Sequence, residues 1–196
     1  MSEAVHRFDN AKRRRPEEHE RQARLTPPYL LEPIRNAFDC REIELDPCTE
    51  PDNPTKAVRF FSPPTDGCVQ PWANALSIYC NPPYGEVRGR WIEKCIREAS
   101  HPNRPQIVLL IPNHTETVAT QRAMNAADSI LFVKARLRFG VPRENGRQEA
   151  ASHGSMLLGY NLSLSPLKRL GVVVTPQSGR AEPHCPEHAP EAKGGE

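Results

Sequence analysis

Residues 76–85 read LSIYCNPPYG, and this stretch decides how the rest of the chain is interpreted. The mainly apolar run at 76–80 predicts a β-strand, which ends at Asn81-Pro82-Pro83-Tyr84. Residues 87–100 follow with apolar side chains three and four positions apart, a spacing that predicts an amphipathic helix. A strand, a proline-containing loop and a helix thus follow one another, as they do in the repeating unit of an α/β sheet.

The same alternation extends along the chain in both directions. The run QIVLLI at 106–111 is unbroken and apolar, as expected of a central parallel strand that is covered on both faces. Pro33 lies within a helical segment at 29–38, so the regular helix is expected to begin near residue 32. Together these patterns predict an α/β sandwich with a mostly parallel sheet. Its other elements are strands at 43–45, 130–139, 155–160 and 172–174 and a helix at 115–126.

The two ends of the 196-residue chain differ from its middle. Residues 1–24 carry seven Lys/Arg and five Asp/Glu without apolar periodicity, and residues 176–196 are rich in proline and polar residues. Both ends are predicted to be disordered, because they cannot bury enough surface to offset the entropy of ordering. Residues 25–175 are predicted to form one catalytic domain. Neither a secretory signal nor an apolar run of membrane-spanning length is found, so we expect a cytoplasmic protein without a membrane partner.

The Asn-Pro-Pro-Tyr segment has the chemistry of a binding site for an amino group. Ligand sites of open α/β sheets lie just outside the carboxyl ends of the strands, where this segment falls. The side-chain carbonyl of Asn81 and the backbone carbonyl of Pro82 can both accept from one exocyclic –NH2, which draws the nitrogen lone pair out of conjugation with its ring. Tyr84 offers a flat face for stacking a base, an interaction that contributes about 1–3 kcal/mol.

At this point the residues resemble a known family. Asn81-Pro82-Pro83-Tyr84 resembles the catalytic motif of S-adenosylmethionine-dependent amino-methyltransferases. Over about residues 25–162, the order of motifs resembles the phage-type DNA N-6-adenine-methyltransferases of the Dam family. The motifs are Thr26-Pro27-Pro28, Leu45-Asp46-Pro47-Cys48, Asp66-Gly67, Trp72, the NPPY segment, VLLIP at 108–112, RLRFG at 136–140 and GSMLLGY at 154–160.

The resemblance implies a Rossmann-like methyltransferase fold with an antiparallel C-terminal hairpin, and site-specific methylation of adenine N6 in double-stranded DNA. Adenine would be flipped out of the duplex and held by the motif residues Asn81, Pro82, Pro83 and Tyr84. The methyl group would pass from a sulfonium to N6 without a metal ion or covalent intermediate, so catalysis would be mostly positioning. The family also suggests a phage or prophage origin, with modification protecting DNA from restriction.

The cofactor site is less clearly marked, because the chain has no Gly-x-Gly loop of the kind that many such enzymes use. Asp46-Pro47-Cys48 is the best substitute, since it also follows a predicted strand. Asp46 could pair with the methionine ammonium of S-adenosylmethionine, and Thr26 and Pro27 could close over the same end. Asp66 is a candidate for a ribose or adenine contact, and Asn81 completes the set. Asp46 and Asp66 are also typical turn residues, and that interpretation stays open.

Residues 134–139 read KARLRF and supply the candidate DNA contacts. As one strand, this segment would place Lys134, Arg136 and Arg138 on a single face. Arg143 and Arg147 follow in a loop, so that 134–147 carries five positive charges and one negative. The pattern predicts phosphate contacts near the flipped base, and a solvated strand face is the alternative.

Other chemistries fit parts of the sequence. Pro47-Cys48 also resembles the nucleophile of cytosine C5-methyltransferases, which would not need the NPPY segment. The cluster HCPEH at 184–188 has metal-like spacing but no second ligand pair, so no metal is expected. NPPY also occurs in enzymes that methylate cytosine N4, guanine N2 in RNA or protein glutamine. A non-catalytic DNA-binding module is the alternative from another class, and the sequence makes no prediction of oligomeric state.

Overall fold

The computed structural model describes residues 24–140 and 148–176. The charged arm predicted at 1–24 therefore lies outside the described residues except for Arg24, and the tail predicted at 176–196 does so except for Pro176. Arg143, Arg147 and the HCPEH cluster also lie outside.

A mixed seven-stranded sheet forms the centre of the fold, in the order β2-β1-β3-β4-β8-β5-β9. Two further strands, β6 and β7, pair with each other in a separate antiparallel sheet. The strands are β1 (Leu45–Asp46), β2 (Arg59–Phe60), β3 (Ser77–Cys80), β4 (Gln106–Pro112), β5 (Ser129–Val133), β6 (Arg138–Gly140), β7 (Gln148–Ala150), β8 (Ser155–Tyr160) and β9 (Gly171–Val174).

Most strands of the large sheet point the same way. β1, β2, β3 and β4 are mutually parallel, and β5 shares their direction because it is antiparallel to β8, which is antiparallel to β4. β8 and β9 run the other way, but the C-terminal hairpin implied by the family resemblance is absent from the large sheet, since β5 lies between them. The connection between β8 and β9 contains a 3-10 helix (Ser165–Leu170) and is much longer than a hairpin turn, so it can pass over β5.

Helices cover both faces of the sheet: α1 (Pro28–Ala37), α2 (Arg88–Ala99) and α3 (Val118–Ala126). Neighbouring residues of the central strands contribute to opposite cores, as the strand period of two requires. Ile78 and Leu109 pack in the core that includes residues of α2 and α3, whereas Tyr79 and Val108 pack in the core that includes residues of α1 and the 3-10 helix. The prediction that 106–111 forms a strand buried on both faces is confirmed.

Helix α1 begins at Pro28, earlier than Pro33 suggested. Pro28 occupies the first turn, where a missing N–H costs no intrahelical bond. Pro33 removes one bond further along. Burial of Leu30, Leu31 and Ile34 against the sheet offsets that loss, so the helix continues through the proline.

The prediction of one strand over 130–139 is wrong. Strand β5 ends at Val133, and the chain bends through Ala135, whose φ of 61° is in the left-handed region. The chain then enters β6, which pairs with β7 and, through Gly140, with Leu25. Lys134 is therefore separated by a bend from Arg136 and Arg138 and does not share a strand face with them.

Candidate active site

The carboxyl ends of β1 and β3 open into a cavity of about 600 Å³. Since these two strands are adjacent and parallel, the residues that follow them meet at the same edge of the sheet. The cavity is lined by most of the residues predicted to bind the cofactor; Pro27 is not among the lining residues. Those that line it are Thr26, Asp46, Pro47, Cys48, Asp66 and Asn81, together with Pro83 of the predicted catalytic segment.

Asp46 is an almost fully buried carboxyl group in the wall of this cavity. Its Oδ2 accepts a hydrogen bond of 2.8 Å from the Thr55 hydroxyl, and its Oδ1 accepts one of 3.1 Å from the Cys48 amide. Burial nevertheless raises the pKa of Asp46 to about 6, against an ordinary value of 3.8. A cation bound in the cavity would stabilise the charged form of Asp46.

Asp66 and Gly67 form a second wall of the cavity. Asp66 also has the contacts of a turn residue. Asp66 accepts a hydrogen bond of 3.0 Å from the Cys68 amide, as a turn residue does, and forms an ion pair of 2.8 Å with Arg90. A Cβ atom on Gly67 would lie 1.8 Å from the carbonyl oxygen of Pro47, so only glycine fits here. The close approach of these two loops shapes the cavity without a Gly-x-Gly sequence.

Aromatic side chains that the sequence analysis did not single out as cofactor contacts complete the cavity. Phe61, just beyond β2, and Trp91, in α2, both line it. The indole Nε1 of Trp91 is buried and has no hydrogen-bond partner among the described residues, so it can donate to a ligand. Phe61 had no signal in the sequence, because the strand before it was not predicted. Trp91 is one of the apolar residues of the helix predicted at 87–100, and that spacing gives no indication of a ligand contact.

Asn81 lines the cavity and carries a buried acceptor. Its Nδ2 donates to the backbone oxygen of Arg24 at 2.7 Å and to the Thr26 hydroxyl at 3.1 Å. Its Oδ1 is buried and has no hydrogen-bond partner in the described part of the chain. With the amide turned over, Oδ1 would face the Arg24 carbonyl oxygen, and two acceptors would be in contact. Hydrogen-bond chemistry therefore selects the orientation that leaves Oδ1 as the available acceptor.

Tyr84 ends the NPPY segment and packs against the β6 strand. Its ring meets that of Phe139 edge to face, with centroids 5.9 Å apart. Burial raises the pKa of the Tyr84 hydroxyl well above its ordinary value, against the opposing effect of the charges of Arg24 and Arg88. The contact with Phe139 fixes the ring at the end of the NPPY segment, where Pro82 is buried.

Two basic residues lie in or just before β6. Arg136 and Arg138 are exposed, whereas Leu137 and Phe139 are buried, so the predicted alternation holds over these four residues. Lys134 is also exposed but precedes the bend. The segment between β6 and β7, which would carry Arg143 and Arg147, lies outside the described residues.

Two features are absent from the part of the chain that the structure describes. In 24–140 and 148–176, no three His, Cys, Asp or Glu side chains are grouped as a metal ion would require. Over the same residues, no helix has the length and apolarity to cross a bilayer.

The protein has a mixed sheet with helices on both faces, and a cavity and an Asn-Pro-Pro-Tyr segment lie at the carboxyl ends of its central strands. This arrangement defines a methyltransferase-like α/β fold. A family model described as DNA N-6-adenine-methyltransferase (Dam) matches residues 14–180, and the chain belongs to this family. The family resemblance found in the sequence is thereby confirmed. Membership implies a methyl donor as cofactor and DNA as substrate. A search of curated proteins finds no significant match.

Proposed function

We propose that this protein transfers a methyl group from S-adenosylmethionine to the N6 amino group of adenine in double-stranded DNA, with the adenine flipped into the NPPY site. The observation that carries the proposal is the buried Oδ1 of Asn81, which has no hydrogen-bond partner among the described residues. The Nδ2 of the same side chain, in contrast, donates two hydrogen bonds. A buried acceptor left in this state is costly unless a ligand supplies a donor. An exocyclic amino group is such a donor.

The residues of the NPPY segment would act by positioning. Asn81 Oδ1 and the Pro82 carbonyl accept the two hydrogens of N6, which turns the nitrogen lone pair away from the ring. Tyr84 stacks on the flipped base, and its own ring is held by Phe139. Pro83 lines the cavity proposed to hold the cofactor. No proton has to leave a side chain before the transfer, so holding the reactants in line is the main contribution.

The cavity fits S-adenosylmethionine by the chemistry of its walls. Asp46 matches the ammonium of the amino-acid part, and the Trp91 indole N–H can donate a hydrogen bond. When bound, the cofactor supplies a methyl group already activated on a positively charged sulfur. The residues proposed to hold it are Thr26, Pro27, Asp46, Pro47, Cys48, Asp66 and Asn81. For Thr26 the proposed contact excludes the side-chain hydroxyl, which is bonded to Asn81 and Tyr79.

DNA would be held chiefly through its phosphates. Arg138, exposed on β6, is next to Phe139, the residue that supports Tyr84, and Arg136, also exposed, lies just before β6. Lys134, Arg143 and Arg147 are proposed to extend the same contact, since each neutralised phosphate adds to affinity by counterion release.

An acceptor screen tests the proposal. The protein is incubated with labelled S-adenosylmethionine and unmethylated double-stranded DNA, RNA or protein, and the products are digested and resolved by mass spectrometry. N6-methyladenine from DNA supports the proposal. N4-methylcytosine, a methylated guanine or methylated glutamine would show that the methyl group is transferred to a different acceptor. Binding of cofactor and DNA without any product would indicate a non-catalytic DNA-binding module.

A further inference from the structure

We infer that Tyr79 and Thr26 are positioning residues for methyl transfer, and that the Thr26 hydroxyl serves to orient the Asn81 amide rather than to hold the cofactor. The inference rests on the proposed function, because it concerns the atom that would accept from the target amino group. It assigns a role to Tyr79, which the sequence places in the strand before Asn81 without a role in the site.

The three side chains form one continuous chain of hydrogen bonds. The hydroxyls of Tyr79 and Thr26 share a bond of 2.6 Å, and the Thr26 oxygen accepts from Asn81 Nδ2 at 3.1 Å. Tyr79 is fully buried and Thr26 almost so. Burial raises the pKa of the Tyr79 hydroxyl well above its ordinary value, so the phenol keeps its proton and its part in the chain.

The fold explains why residues so distant in sequence meet. Tyr79 points to the face of the sheet that α1 covers, and Thr26 lies directly before that helix. The segment 24–26 is fixed on its other side by two hydrogen bonds of 3.0 Å between Leu25 and Gly140, the last residue of β6. The backbone oxygen of Arg24 then supplies the second acceptor for Asn81 Nδ2. The amide is therefore held by a segment that is itself fixed by hydrogen bonds, from Leu25 to Gly140 and from Thr26 to Tyr79.

This arrangement separates orientation of the amide from its acceptor function. Both bonds are made by Nδ2, so Oδ1 stays available for the substrate. If the Thr26 hydroxyl is removed, Asn81 keeps only the Arg24 carbonyl, and the amide can rotate away from the orientation that accepts from N6. Of the three hydrogen-bonding positions of the Thr26 hydroxyl, Tyr79 and Asn81 occupy two, so most of its capacity is used within this chain of hydrogen bonds.

The test compares Tyr79→Phe, Thr26→Val and the double variant with a matched control, Tyr160→Phe. Tyr160 is also fully buried and donates one hydrogen bond, of 3.3 Å, to the Ala123 carbonyl, but it lies in β8 opposite Ile107, towards the other edge of the sheet. Each protein is assayed for single-turnover methylation of unmethylated double-stranded DNA, for S-adenosylmethionine affinity by calorimetry, and for thermal stability.

We expect Tyr79→Phe and Thr26→Val each to lower the methylation rate by about twofold to tenfold, the range that one hydrogen bond provides. Cofactor affinity stays close to that of the wild type, and Thr26→Ser restores most of the activity that Thr26→Val loses. In the Thr26→Val background, Tyr79→Phe has no further effect on rate, because its hydroxyl acts through Thr26. A purely structural role would instead lower stability and give additive losses.

The inference is overturned if Tyr79→Phe methylates as fast as Tyr160→Phe, if the two losses add, or if Thr26→Val loses cofactor affinity in proportion to its rate. Should Tyr79→Phe fail to fold, the comparison of Thr26→Val with Thr26→Ser decides, and equal rates refute the inference. A wild-type protein without methylation of any DNA would refute the proposed function first, and the inference with it. An active wild type with unaffected variants refutes the inference alone.

Discussion

Replacing Asp46 by asparagine should stabilise the free protein at neutral pH while removing cofactor binding. The carboxyl is fully buried, and burial raises its pKa from 3.8 to about 6. The difference between these values corresponds to about 3 kcal/mol, the cost of keeping the group charged in the folded state above pH 6. Since the folded state binds the proton more tightly, the stability contributed by Asp46 is fully present below pH 3.8 and is lost as the pH rises through about 6. Asparagine resembles the protonated form and avoids that loss.

The assay is urea denaturation of the wild type and Asp46→Asn between pH 4 and pH 8 without cofactor. The variant should be more stable by up to about 3 kcal/mol at pH 7.5, and the two should converge near pH 4. Asp52→Asn, which removes an exposed aspartate, provides the control for the loss of a surface charge. Calorimetric titration with S-adenosylmethionine should show affinity rising with pH up to about pH 6 in the wild type only. A stability difference between the two proteins that does not change with pH would refute the reasoning.

Three other predictions concern the remaining parts of the site. Gly67→Ala should abolish cofactor binding or lower the free energy of unfolding by at least about 2 kcal/mol, because its Cβ would lie 1.8 Å from the Pro47 carbonyl oxygen. Calorimetry measures the binding and thermal denaturation the stability. An unaffected variant would contradict the close approach of the two loops. Tyr84→Phe should retain most activity because it keeps the stacking ring, whereas Tyr84→Ala should weaken the apparent affinity for DNA by about fivefold to 150-fold; equal kinetics in the two variants would argue against stacking. Replacing Arg136 and Arg138 together by alanine should reduce the salt dependence of DNA binding by about two phosphate contacts, and an unchanged slope of affinity against salt would exclude them from the interface.

The central unit of the fold could be predicted because its signals are local. The apolar run before Asn81, the two prolines that end it and the apolar spacing around Trp91 each lie within a few residues of the element they define. The placement of Asp46 in the cavity also followed from a simple rule, since parallel strands bring their carboxyl ends to one edge of a sheet.

The errors arose where contacts distant in sequence decide the structure. After the bend at Ala135, Gly140 pairs with Leu25, more than a hundred residues earlier, and no local pattern in 130–139 indicates that pairing. The hydrogen bonds from Asn81 to Arg24 and Thr26 also span more than fifty residues. Periodicity describes one segment at a time, so such contacts become visible only once the topology is known.

The most direct test of the account is the yield of N6-methyladenine in unmethylated double-stranded DNA treated with S-adenosylmethionine and either the wild type or Asn81→Ala. The account predicts N6-methyladenine as the only methylated base with the wild type. With Asn81→Ala, which lacks the acceptor for the amino group, the account predicts a yield lower by at least about a hundredfold, provided that the variant folds. A folded Asn81→Ala protein that methylates adenine at the wild-type rate, or a wild type that methylates a different base, would contradict it.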